Sequence, residues 1–147
     1  MALNISDVKP VFDADGHEWI RVKINGTADF QLCVGSARSN DFMVRSGYVM
    51  RAMERIQEKY DQTGAMLSKE DAERLAGLES EYNAVISSVL VTDWKEVNDA
   101  DGNKMDYEPS VLRNLINDIP TVRQDIISAA WHVAMRLTGR KEETAEK

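Results

Sequence analysis

The apolar pattern of this chain changes period near Gly35, and no other feature constrains the fold as much. Before that point Ile20, Val22 and Ile24 alternate with Trp19, Arg21 and Lys23. Phe30, Leu32 and Val34 alternate in the same way with Asp29, Gln31 and Cys33. Alternation places every second side chain on one face, which is the pattern of half-buried strands. Asp13-Ala-Asp-Gly16 and Asn25-Gly26 supply the turns, because glycine accepts the positive φ of a tight hairpin. With a short partner over Val8–Phe12, residues 8–35 are expected to form a small antiparallel β-meander.

After Gly35 the spacing becomes helical. Ser39 or Asn40 can cap a helix whose narrow stripe is Phe42, Val49, Met53, Ile56 and Tyr60. Gly64 ends it as a left-handed C′ residue. Ser68 can cap the next helix, with Asp71 at the reciprocal position of a capping box. The stripe of this second helix is Ala72, Leu75, Leu78, Tyr82, Val85, Ile86, Val89 and Leu90. The short connection predicts a helical hairpin over residues 40–92.

Residues 93–108 then read as a turn segment. Trp94 opens it, Asp99-Ala-Asp-Gly102 turns it, and Tyr107 closes it, with Trp94, Gly102, Tyr107 and Pro109 as structural anchors. Pro109 and Pro120 each start a helix, since proline is favoured at the first helical position. In the last helix Val122, Ile126, Ala129, Val133 and Leu137 form one stripe, and Ile127, Trp131 and Ala134 form a second, nearly opposite. The whole is expected to be α+β and helix-dominated: one domain over residues 1–139, two C-terminal helices over 109–138, and a charged, disordered tail at 140–147.

Composition removes several functions. Cys33 is the single cysteine, so no intrachain disulfide can form. His17, His132 and Cys33 lack metal-ligand spacing, and no cofactor motif is present. Aligning Gly16 or Gly102 with the sixth position of a calcium loop puts Val11 or Val97 in the first, ligating position, where an apolar side chain cannot serve. A net charge of −7 repels phosphate backbones, so nucleic acid is not an expected partner. The longest apolar run, Val85–Val91, is too short to span a bilayer, and Met1–Pro10 has no signal-peptide core, so the chain is expected to be cytoplasmic. Asp99, Asp101 and Asp106 lie in a turn, where aspartate is favoured for its own backbone hydrogen bonds. No catalytic constellation stands out, and the chain is not expected to be an enzyme.

What remains is apolar surface in excess of one stripe per helix. Met43 and Met50 lie on one flank of the first long helix, with Val44 and Tyr48 on the other. Methionine adapts to variable apolar partners. Together with Ile127 and Trp131 of the last helix, Met43, Tyr48 and Met50 are the candidate partner-binding residues. The more common use of such residues is packing against the meander or the C-terminal helices, and the sequence leaves both readings open.

The C-terminal half resembles the tail assembly chaperones of long-tailed bacteriophages. Trp94, Val97, Asp99, Asp101, Gly102, Tyr107, Pro109, Leu115, Ile116, Pro120, Ile126 and Ala129 carry the resemblance, while the first part follows only in outline. Where the family pattern has serine before the proline, this chain has Glu108. The resemblance implies a protein that binds the tape measure protein in the host cytoplasm and keeps it soluble while tail tube subunits polymerise around it. It also implies absence from the mature virion, and that this chain is the shorter of two products related by a frameshift. The tail tube protein as a second partner, and a homo-oligomeric state, stay open. A structural tail or head–tail joining subunit and a cellular protein-binding adaptor are the alternatives.

Overall fold

The computed structural model describes Ala2, residues 12–24, Gly26 and residues 28–136. Residues 8–11 of the expected meander, Asn25, Leu137, Gly139 and the 140–147 tail lie outside the described residues. The fold is α+β and helix-dominated. Its elements are β1 (His17–Ile24), β2 (Ala28–Gly35), α1 (Asn40–Thr63), α2 (Lys69–Val85), a π-helical turn (Ile86–Leu90), β3 (Val91–Lys95), α3 (Pro109–Asp118) and α4 (Pro120–Ala134).

β1 and β2 pair antiparallel, with Ile20 opposite Leu32 and Val22 opposite Phe30. The alternation has the expected sense: Val22, Phe30, Leu32 and Val34 are buried, while Trp19, Arg21 and Lys23 face out. The sheet's third strand comes from the far side of the helical hairpin. β3 pairs antiparallel with β2, Leu32 opposite Trp94, with a register shift between Cys33 and Val34. Val91 and Thr92 therefore leave the hairpin, and the segment expected as a turn begins as a strand. The cause is the apolar run Val85–Val91: Ile86, Leu90 and Val91 are all buried, and over so short a run helix burial and strand burial give the same pattern.

The change of state is made by the π-helical turn. Ser87 Oγ donates to the Asn83 carbonyl at 3.0 Å, and Ser88 Oγ to the Ala84 carbonyl at 2.6 Å. Such back-bonding by serine loosens the helical ladder. Val91 N–H then reaches the Ile86 carbonyl, one residue further back than in an α-helix. The Ser87 carbonyl accepts the Tyr107 hydroxyl instead. Burial pushes the Tyr107 phenol well above its ordinary pKa. Tyr107→Phe is expected to cost about 1–3 kcal/mol in urea unfolding, because it leaves that carbonyl short of a donor. A variant as stable as the parent would show that the bond contributes nothing.

Tyr107 also meets Trp94 edge-on, with ring centroids 5.0 Å apart and planes at 84°. Trp94 is 5% exposed, and its indole N–H donates to the Met105 carbonyl at 2.8 Å. Between the two rings the chain runs out and back. Met105 N–H donates to the Val97 carbonyl at 2.9 Å, and Asp99 Oδ1 accepts from the Asp101 and Asn103 N–H groups at 2.9 and 3.0 Å. Gly102 takes φ 81° at the tip, a conformation suited to glycine.

The long hairpin is closed by specific caps. Ser39 Oγ accepts from Phe42 N–H at 3.4 Å, and Gly64, at φ 66°, donates to the Tyr60 carbonyl at 2.8 Å. Ser68 Oγ accepts from Asp71 N–H at 3.2 Å. The reciprocal half of the expected capping box is absent. Asp is one methylene shorter than the usual Glu, and its carboxylate binds the Tyr60 hydroxyl and Lys59 Nζ of α1. Ser68 N–H donates to Tyr60 Oη at 3.2 Å in place of it. Residues 61–70 are exposed throughout, so the tip of the hairpin stands clear of the body. Ala72, expected in the buried stripe, is exposed there too.

The Tyr60 hydroxyl, and after it Lys59, hold the Asp71 carboxyl below its ordinary value of 3.8. A depressed carboxyl stabilises the hairpin above its unfolded pKa and loses that contribution as pH falls through the folded one. Amide exchange near Ser68, corrected for intrinsic rates, is expected to be steady at neutral pH and to accelerate below about pH 4. Tyr60→Phe should blunt that acceleration. Exchange that ignores acid in the parent chain would contradict the clasp.

α3 and α4 both begin at proline, and Glu108 caps α3 without a side-chain bond. α4 lies over β1 and β2 and buries Val122, Ile126, Ala130, Val133 and Ala134. This changes the expected pair of stripes. Ala134 belongs to the buried side, and Ala129 is only half-buried. Alanine at 130 and 134 lets backbone come close: Ala37 N–H donates to the Ala130 carbonyl at 3.0 Å, and Asp13 N–H to the Ala134 carbonyl at 3.1 Å. Glu18 ties β1 to the same helix through His132 Nδ1 at 2.8 Å, and to Arg136 just past its end at 3.3 Å. Its carboxyl is held below its ordinary value, chiefly by the His132 hydrogen bond.

Candidate partner-binding groove

A groove lies between α1, α2 and α4. One cavity of about 450 Å³ lies between Met50 and Met53 of α1, Tyr82 of α2 and Ile127 of α4. A second of about 440 Å³ continues along α1 past Glu54 and Gln57 and is walled by Leu75 of α2. Both are lined by Met50, Met53 and Glu79, which makes them one continuous apolar trough.

Its wall is held by a polar network. Asn83, buried on α2, donates to Asn117 Oδ1 of α3 at 2.7 Å and accepts from Arg123 of α4 at 3.2 Å. Arg123 also lies 3.8 Å from Glu79. The network sets the spacing of α2, α3 and α4, and a satisfied buried amide of this kind specifies one arrangement of helices. Burial raises the Tyr82 phenol, with the nearby Arg123 guanidinium acting against it.

The sequence-expected residues divide. Met50, 42% exposed, and half-buried Ile127 meet in the groove. Met43, two helical turns before Met50 on the same flank, is also exposed. Trp131 follows Ile127 by one turn and is 46% exposed. Its ring lies 5.6 Å from the Arg38 guanidinium, which also sits 4.6 Å over the Phe12 ring. Tyr48, 76% exposed, is on the opposite flank of α1 and is not brought to the groove. Trp94, Gly102, Tyr107 and Pro109 lie in the clip between β3 and α3. Met53, Leu75 and Tyr82 fit the buried stripes of the sequence pattern, yet they are half-buried and line the groove. The spacing of Met53, one turn after Met50, is the signal that could have found it.

The fold and groove define the class: a helix-dominated α+β domain that presents a methionine-lined trough from a three-stranded sheet scaffold. The chain belongs to a prophage family, matching the one described as YdaY prophage protein over residues 45–147. That is well over half its length. The match takes in the groove and the clip and leaves β1 and β2 outside. No curated protein and no solved structure matches it. Among the described residues no helix is long and apolar enough to cross a membrane.

Proposed function

We propose that this prophage protein is a tail assembly chaperone. It binds the tape measure protein, keeps it soluble while tail tube subunits polymerise around it, and leaves before the virion is complete. It acts by binding alone, in the cytoplasm of the bacterial host. The observation that carries this reading is the open methionine-lined groove on a chain of net charge −7. A helix laid in such a groove buries its apolar stripe. Methionine adapts to the varied side chains of a long client, and the excess negative charge keeps the complex dispersed.

The reading is tested by co-purification. Tagged chain is expected to retain the tape measure protein encoded beside it and to be missing from purified virions by mass spectrometry. Recovery of the chain in washed virions would favour a structural tail subunit instead.

A further inference from the structure

We propose that the groove receives an amphipathic helix whose apolar stripe is flanked by lysine or arginine. This deepens the chaperone reading and rests on it for the origin of the client. Along α1 the groove runs from Met50 to Gln57, which at 1.5 Å per residue is about 10 Å. That is the axial reach of apolar residues at i, i+3 or i+4, and i+7 on one helix face. The trough is therefore long enough to seat one such set.

Charge decides the flank. Glu54 stands at the rim, exposed, and has no ion-pair partner among the described residues. Glu79 is exposed on the opposite wall, with Arg123 at 3.8 Å. The Arg123 guanidinium is already engaged by Asn83 as well, so the rim's cation is committed inward. Besides Glu79, α2 carries four acidic residues against two basic ones. A basic flank meets the unpaired Glu54 carboxylate on one side and, on the other, Glu79, whose cation is shared with Asn83, while an acidic flank meets repulsion. Such complementarity governs the choice of partner more than its raw affinity.

The test uses two labelled peptides of about 20 residues, long enough for marginal helicity. Both carry leucine at i, i+3, i+4 and i+7, one flanked by lysine and the other by glutamate. In low salt, where rim charges are least screened, the lysine peptide is expected to bind the intact chain at least about tenfold more tightly. Glu54→Lys should narrow that preference, and Met50→Lys should abolish binding, with circular dichroism confirming that each variant is folded. Glu54 is exposed and unpaired, so its variant keeps the test informative if another fails to fold. Equal binding of the two peptides, or binding unaffected by Met50→Lys, would overturn the proposal. So would dimerisation of the free chain that Met50→Lys abolishes, since a second copy would then fill the groove. Failure of both peptides, with the tape measure protein still co-purifying, would overturn the groove and leave the chaperone reading standing. Selective peptide binding with no retention of the tape measure protein would do the reverse.

Discussion

Trp94→Ala is expected to destabilise the fold by about 3–5 kcal/mol, the loss typical of a buried large aromatic replaced by alanine. The indole is 5% exposed. Its removal opens a cavity under the sheet, strips the Met105 carbonyl of its donor and takes away the edge contact with Tyr107. For a chain of this size the thermal midpoint should fall by roughly 6–20 °C. A shift of under a degree would mean that the clip does not fasten the C-terminal helices to the sheet.

Leu32→Ala should cost about 2–5 kcal/mol. Leu32 is fully buried on the central strand, opposite Ile20 of β1 and Trp94 of β3, so all three strands border the void it would leave. Lys23→Ala, on the exposed face of β1, should stay within about 0.5 kcal/mol of the parent. Equal losses for the two would contradict the assignment of the sheet's buried face.

Much of this architecture is legible in the sequence because local rules and tertiary packing agree. The alternation through Ile20, Val22, Phe30, Leu32 and Val34 gives the β1–β2 pair and its buried face. Ser39, Gly64, Ser68, Pro109 and Pro120 mark helix ends that the structure also has. The failures arise where one residue pattern serves two states. The run Val85–Val91 is apolar enough for a helix face or a strand, so β3 is hidden. Only the Ser87–Ser88 pair hints at the π-helical turn that separates them. Asp71 has the right position for a capping box, but Tyr60, distant in sequence, takes its carboxylate.

The groove is legible only in part. Met50 and Ile127 stand out as apolar residues beyond the core stripe of their helices. Met53, Leu75 and Tyr82 do not, because each fits a stripe that a straight packed helix would bury. They are left half-open because they line the groove between α1, α2 and α4. The Asn83, Asn117 and Arg123 network, whose members lie on α2, α3 and α4, holds together the side of the groove that faces α1. Tyr48 shows the opposite case, an aromatic on a helix flank that meets no groove.

The proposed role of this chain is to keep a helical client in solution. The most direct measurement is the soluble fraction of the tape measure protein, expressed alone, with the intact chain, and with Met50→Lys. A clear rise is expected with the intact chain, and little or none with the variant. A soluble fraction that is the same in all three would contradict that role.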